Sequence, residues 1–127
     1  MKLRIRDNSI RLRLTQSEVA RLRTDGIVGG KLVFAAGSRL IYCLESSPAC
    51  VDSAAQFNNG EMSIRLPETT VVQWADSEQV SIEAIQTIDD GSELKILVEK
   101  DFACLTPREG EDESDLFPHP EEGQANC

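Results

Sequence analysis

The sequence predicts an α+β protein, mainly antiparallel β, built as two tandem ββαββ repeats. The repeats are expected to close an intramolecular pseudo-dimer barrel, with an acidic C-terminal tail behind them. Three observations lead there: short runs in which apolar and polar residues alternate, a helix-start signal after each second run, and the return of both along the chain. The 127 residues suit one ordinary domain, and 40% of them are apolar, enough for a core.

In the first repeat, residues 1–45, Leu3 and Ile5 alternate with Lys2, Arg4 and Arg6, and Ile10, Leu12 and Leu14 alternate with Arg11 and Arg13. Period two marks half-buried strands. Asp7-Asn8 suits a two-residue hairpin turn, because Asp and Asn tolerate positive φ. That turn sets Ile5 opposite Ile10, Leu3 opposite Leu12, Arg4 opposite Arg11 and Lys2 opposite Arg13. Thr15-Gln16-Ser17-Glu18 is a capping box with Thr15 as N-cap. Val19 and Leu22 give the helix its inward face, and Asp25-Gly26 stops it. Leu32 and Phe34, a turn at Ala36-Gly37-Ser38, and Leu40, Tyr42 and Leu44 then read as a second hairpin.

The second repeat, residues 52–105, follows the same plan. A strand through Phe57 meets Asn58-Asn59-Gly60, a strong hairpin signal, and Met62, Ile64 and Leu66 return. Pro67 is expected at the first helical position, with Val71, Val72, Trp74 and Ala75 as the apolar side. Val80, Ile82 and Ile85 lead to Asp89-Asp90-Gly91, and Leu94, Ile96 and Val98 close the unit. Residues 46–51, which contain Pro48, form the joint. Residues 106–127 hold three prolines and seven acidic side chains, too polar to offset the entropy of ordering, so they read as a flexible tail that docks, if at all, through Leu116-Phe117. Leu12, Leu14, Leu66, Trp74 and Ile82 are expected in one core.

Internal similarity supports the duplication. A gapless offset of 54 superposes Ser9-Ile10-Arg11-Leu12 on Ser63-Ile64-Arg65-Leu66. The same offset brings Thr15 onto Thr69, Gly37-Ser38 onto Gly91-Ser92, Leu40 onto Leu94 and Glu45 onto Glu99.

The net charge of −9 hides an asymmetry. Residues 1–39 carry nine Lys or Arg against three acidic residues, +6, and the remainder sums to −15. Such a chain either contacts itself across its two halves or offers each half to a different partner. No apolar run nears the ~18 residues of a membrane span, and the start lacks the apolar core of a secretory signal. A cytoplasmic protein without membrane contact, monomeric or weakly dimeric, is therefore expected. In that compartment Cys43, Cys50, Cys104 and Cys127 read as free thiols, mostly buried in strands.

Several motifs resemble the AbrB/MazE swapped-hairpin family. In the second repeat these are Ile64-Arg65-Leu66-Pro67, a short helix, Glu78-Gln79-Val80-Ser81-Ile82, Asp90-Gly91 and Leu94-Lys95-Ile96. In the first they are a basic strand, Asn8-Ser9, and an alternating strand ending in Arg13-Leu14 before a short helix. The likeness spans roughly residues 2–100. It implies two fused copies of a unit normally found as half of a homodimeric bacterial β-barrel that binds operator DNA through basic residues near the first hairpin. Arg4, Asn8, Ser9 and Arg13 match the basic strand and its turn. Antitoxin members add an acidic tail that blocks a toxin. The C-terminal part, Val98-Glu99-Lys100-Asp101-Phe102-Ala103-Cys104-Leu105 with Glu111-Asp112-Glu113-Ser114-Asp115, also resembles a small bacterial family of unassigned function.

The sharpest candidate site is the basic face of the first hairpin. Lys2, Arg4, Arg6, Arg11 and Arg13 project to one side, joined at the turn by Asn8 and Ser9, and like charges placed opposite one another repel. A two-stranded ribbon of this kind suits the major groove of DNA; alternatively the chain's own acidic half neutralises it, or water does. The tail offers a second candidate, a partner-binding segment of Glu111, Asp112, Glu113, Asp115, Leu116 and Phe117, with a solubilising role as its plainer reading. Cys104, His119 and Cys127 fit no metal-ligand spacing. The lone histidine, and the lack of a phosphate loop or nucleophile elbow, point away from an enzyme and from any cofactor or metal. The expectation is thus a non-enzymatic regulatory or interaction protein that binds DNA through the first hairpin, or a protein through the tail.

Overall fold

The computed structural model describes residues 1–103 and 114–118. These form β1 (Lys2–Arg6), β2 (Ser9–Leu14), α1 (Gln16–Asp25), β3 (Ile27–Ala35), β4 (Ser38–Ser47), β5 (Ala54–Asn58), β6 (Glu61–Pro67), α2 (Glu68–Ala75), β7 (Ser81–Thr87) and β8 (Glu93–Lys100). The ββαββ order occurs twice, as the patterning predicts.

Each hairpin forms locally. Asp7, at φ 49°, turns β1 into β2, and the register sets Lys2 against Arg13, Leu3 against Leu12, Arg4 against Arg11 and Ile5 against Ile10. Asn59 and Gly60, at φ 52° and 74°, do the same between β5 and β6. The capping box starts α1: the Thr15 N–H donates to Glu18 Oε1 at 2.9 Å, and the Glu18 N–H donates to the Thr15 hydroxyl. Gly26, at φ 81°, ends it. Pro67 is the residue before α2 rather than its first turn, because its carbonyl side still belongs to the ladder in which Ser47 pairs with it.

The hairpins then exchange partners. β1 and β2 join β7 and β8 in one four-stranded sheet, order β1-β2-β8-β7, while β3 and β4 join β5 and β6 in another, order β3-β4-β6-β5. The central neighbours, β2 with β8 and β4 with β6, run parallel, and every other pair is antiparallel. Replacing each strand by its counterpart four places along converts one order into the other. α1 and α2 are the crossovers between the sheets.

The expected closed barrel does not form. No backbone ladder joins β1 to β3 or β5 to β7, so the two mixed sheets remain open. They face a shared core in which Ile10, Leu12, Leu14, Ile96 and Val98 of one sheet meet Val28, Leu44, Met62, Ile64 and Leu66 of the other. Val19, Leu22, Val71 and Trp74 come from the helices, and Ile82 from β7. The five expected core residues all lie in it. The Trp74 indole N–H, buried with the ring, donates to the Val80 carbonyl at 2.9 Å.

The correspondence between the two halves is not gapless. In the first hairpins the turns Asp7-Asn8 and Asn59-Gly60, the pairs Lys2–Arg13 and Ala54–Arg65, and the helix-preceding residues Thr15 and Pro67 match at an offset of 52. In the second hairpins the pair Ile27–Glu45 matches Ser81–Glu99, and Gly37 matches Gly91, at 54. The Ser-Ile-Arg-Leu identity is thus out of register by two, a slip that strand alternation tolerates because it returns every side chain to the same face. The added residues lie after α2, where 76–80 replace the single Gly26.

Smaller boundaries also move. β4 continues through Ser46 and Ser47 because they extend the parallel ladder to Leu66 and Pro67, leaving 48–53 as the connection. Cys43 is a buried free thiol in β4, but Cys50 lies in that connection rather than in a strand. Cys104 and Cys127 lie outside the described residues.

A candidate nucleic-acid interface on the first sheet

The outer face of the first sheet is built by period two. With Leu3, Leu12 and Val98 turned toward the core, the alternate residues face out, and the registers align them in rows: Lys2, Arg13, Glu99 and Ser81; Arg4, Arg11, Leu97 and Glu83; Arg6, Ser9, Lys95 and Ile85. All five basic residues expected on the first hairpin stand there together. The sixth, Lys95, and the apolar Leu97 and Ile85 arrive from β8 and β7, at the far end of the described strands. Only the alternation Leu94-Lys95-Ile96 hints that Lys95 points outward.

Neutralisation of this face is uneven. Glu99 Oε1 accepts from Arg11 Nε at 2.5 Å and from Arg13 Nε at 2.8 Å, with all three side chains mostly buried. Lys2 Nζ lies 3.2 Å from Asp101 Oδ2, and Asp101 is 2% exposed. Two carboxylates of the acidic half therefore pair with three of the hairpin's cations. Arg4, Arg6 and Lys95 are exposed, and no carboxylate among the described residues lies within ion-pair distance of them. With Arg11, Glu83, Ile85 and Leu97 they border a groove of about 450 Å³.

The turn residues have structural work. Asn8 Nδ2 donates to the Glu93 carbonyl at 2.7 Å, and the Lys95 N–H donates to the Asn8 carbonyl at 3.1 Å, which fastens the hairpin tip to the start of β8. The Ser9 hydroxyl donates to the Arg6 carbonyl at 2.7 Å.

Of the tail candidates, Glu111, Asp112 and Glu113 lie outside the described residues, as does His119. Asp115, Leu116 and Phe117 pack on the chain itself. The Gln16 N–H donates to the Asp115 carbonyl, and the Ser17 N–H and hydroxyl donate to its carboxylate, extending the N-terminal cap of α1. The Ser17 hydroxyl, helped by Thr15, holds the Asp115 carboxyl below its ordinary pKa. Leu116 is buried, and Phe117 bridges in parallel to Phe102, the ring centroids 5.8 Å apart. Phe117 also lies under Lys100 Nζ, which sits 5.8 Å from Trp74 and donates to the Ser77 carbonyl at 2.7 Å. Burial lowers the Lys100 pKa, and Glu78 opposes that. Beside this segment Glu18 binds the N-terminal ammonium. Burial raises its pKa, but hydrogen bonds from the ammonium and from Thr15 outweigh that and hold it low.

Among the described residues no cluster of three His, Cys, Asp or Glu could hold a metal ion, and no helix is long and apolar enough to cross a membrane. The fold and face define a two-sheet α+β protein with one basic outer surface. The chain belongs to a family of unknown function, DUF7009, whose model matches residues 1–121. No curated protein and no solved structure matches it.

Proposed function

We propose that this protein is a non-enzymatic nucleic-acid-binding protein of AbrB/MazE type. One chain would supply both swapped-hairpin units, and the outer face of the first sheet would hold the phosphate backbone of duplex DNA. The exchange of hairpins between two related units supports the first part. The second rests on a single observation: Arg4, Arg6 and Lys95 border a groove and none has a described carboxylate within ion-pair distance, Glu83 on the same rim included. Guanidinium groups pair with phosphate in a bidentate manner, and Arg11 becomes a further contact wherever a phosphate displaces Glu99. The face offers no aromatic platform for unstacked bases, which favours duplex over single strands.

Fluorescence anisotropy with a labelled duplex, titrated between low and moderate salt, tests the reading. Three unmatched cations predict a log–log salt slope of about −2.7. Arg4→Ala with Arg6→Ala should reduce its magnitude by about 1.8. Binding that is absent at low salt, or indifferent to both substitutions in a folded protein, refutes it.

A further inference from the structure

The two flanks of the molecule are closed differently. On one flank the Ala55 N–H of β5 donates to Gln86 Oε1 at 2.7 Å, and its carbonyl accepts from Gln86 Nε2 at 3.3 Å. One β7 side chain thus satisfies the outward backbone groups of the β5 edge as a neighbouring strand would. On the other flank the counterpart of Ala55, at the offset of 52, is Leu3, and the counterpart of Gln86, at 54, is Leu32, which carries no amide.

The two-residue turn makes Arg6 and Ser9 a hydrogen-bonded pair. By alternation Arg4 and Lys2 bond β2 as well, so Leu3 and Ile5 turn their N–H and C=O groups away from it. Among the described residues nothing accepts or donates to those groups across the edge; the nearest equivalent on this flank is the Tyr42 hydroxyl, which donates to the Met1 carbonyl at 3.4 Å. An edge strand with unpaired backbone is a template for another strand.

The side chains decide which strand. Lys2, Arg4 and Arg6 line one side of the β1 edge, with Leu3 and Ile5 on the other, and Ile5 is 61% exposed. A second copy of β1 would set arginine against arginine, which repels. We infer that the β1 edge receives an extended peptide in which acidic and apolar residues alternate. It pairs as a fifth strand of the first sheet, its carboxylates on Arg4 and Arg6 and its apolar residues on Leu3 and Ile5. This inference is independent of the nucleic-acid reading: it uses the backbone edge and shares only two cations with the outer face.

The test uses the full chain and two synthetic peptides of identical composition, one alternating Val and Glu, the other with the same residues in two blocks. The alternating peptide should bind at least about tenfold more tightly, a difference that net charge cannot produce. Ile5→Pro removes an outward N–H without breaking a bond to β2. It should weaken the alternating peptide about tenfold or more and leave duplex affinity unchanged, whereas Arg4→Ala weakens both. Equal affinity for the two peptides, or an Ile5→Pro protein that is folded and binds as before, overturns the inference and leaves the basic edge as a guard against self-pairing. Should Ile5→Pro fail to fold, amide hydrogen exchange in the unaltered protein decides. Saturating alternating peptide should slow the Leu3 and Ile5 amides at least about tenfold, and unchanged rates overturn the inference.

Discussion

Glu99 is the residue at which stability and ligand affinity should pull in opposite directions. Its Oε1 accepts from both Arg11 and Arg13, at 2.5 and 2.8 Å, in a mostly buried setting. Glu99→Gln keeps the shape and one acceptor but removes the charge. Arg11 then faces Arg4, and Arg13 faces Lys2, with Glu83 the one anion left in those rows and Asp101 beside Lys2. Loss of charge assistance in two such hydrogen bonds should cost about 1–3 kcal/mol. At this chain size that corresponds to a melting point lower by about 4–12 °C, readable from the fluorescence of the buried Trp74. The same substitution frees two guanidinium groups for phosphate. The salt slope of duplex binding should steepen by about 1.8, and affinity near 0.1 M salt should rise between about tenfold and sixtyfold. A less stable protein with an unchanged slope would mean that the arginines serve folding alone. An unchanged melting point would mean that Glu99 contributes nothing, and the account of how this face is neutralised would fail.

Gln86→Ala should remove both bonds to Ala55 and cost about 1–2 kcal/mol, a loss measurable by thermal melting; an unshifted melt would show that the cross-sheet clasp is idle. Acid should undock residues 114–118. Asp115 and Glu18 both have lowered pKa values in the folded chain, so the unfolded chain takes up protons first and the stabilisation present above pH ~4 is lost as pH falls through the folded values. Asp115→Asn should flatten the decline of the urea midpoint between about pH 5 and 2, and an unaltered profile would remove Asp115 from the argument. Site-resolved alkylation should label Cys50 well before Cys43, because Cys43 is buried and burial, with Glu45 and Glu61, pushes its thiol pKa up; equal rates would contradict the strand packing around Cys43.

The local chemistry of this fold was legible and the long-range pairing was not. Alternation and a two-residue turn specify every pair of the first hairpin, and Thr15 with Glu18 specifies where α1 begins, because those signals act within a few residues. Nothing in Ser9–Leu14 names Lys95–Lys100 as its parallel neighbour, since parallel partners share no turn. For the same reason the basic face was half visible: its five hairpin cations could be read, while Lys95, the Glu99 bridge and the apolar floor could not. Lys100 continues the inward phase of Ile96 and Val98, so alternation places it inside, but nothing in that pattern supplies the Ser77 carbonyl and the Trp74 and Phe117 rings that receive it. Asp101 follows the strand and looks solvent-facing in sequence, yet it is buried, with backbone bonds to Leu14 and Phe117 that no periodicity encodes.

The matching rows of the two halves differ in charge. At the offset of 52, Lys2, Arg4 and Arg6 correspond to Ala54, Gln56 and Asn58, and Arg11 corresponds to Ser63. Only Arg13 finds a cationic counterpart, Arg65, and that side chain already pairs with Glu45 at 3.2 Å. One sheet carries the cations while the other is nearly neutral on the matching rows. The edges divide in the complementary sense, with Gln86 sealing β5 while the matching flank at Leu3 has no amide to seal it. A symmetric dimer must carry both features twice or not at all, since one sequence serves both subunits. Two linked units escape that constraint. In this chain the basic face and the β1 edge that no described side-chain amide seals fall on the same hairpin, while the matching rows of the other half carry almost no net charge.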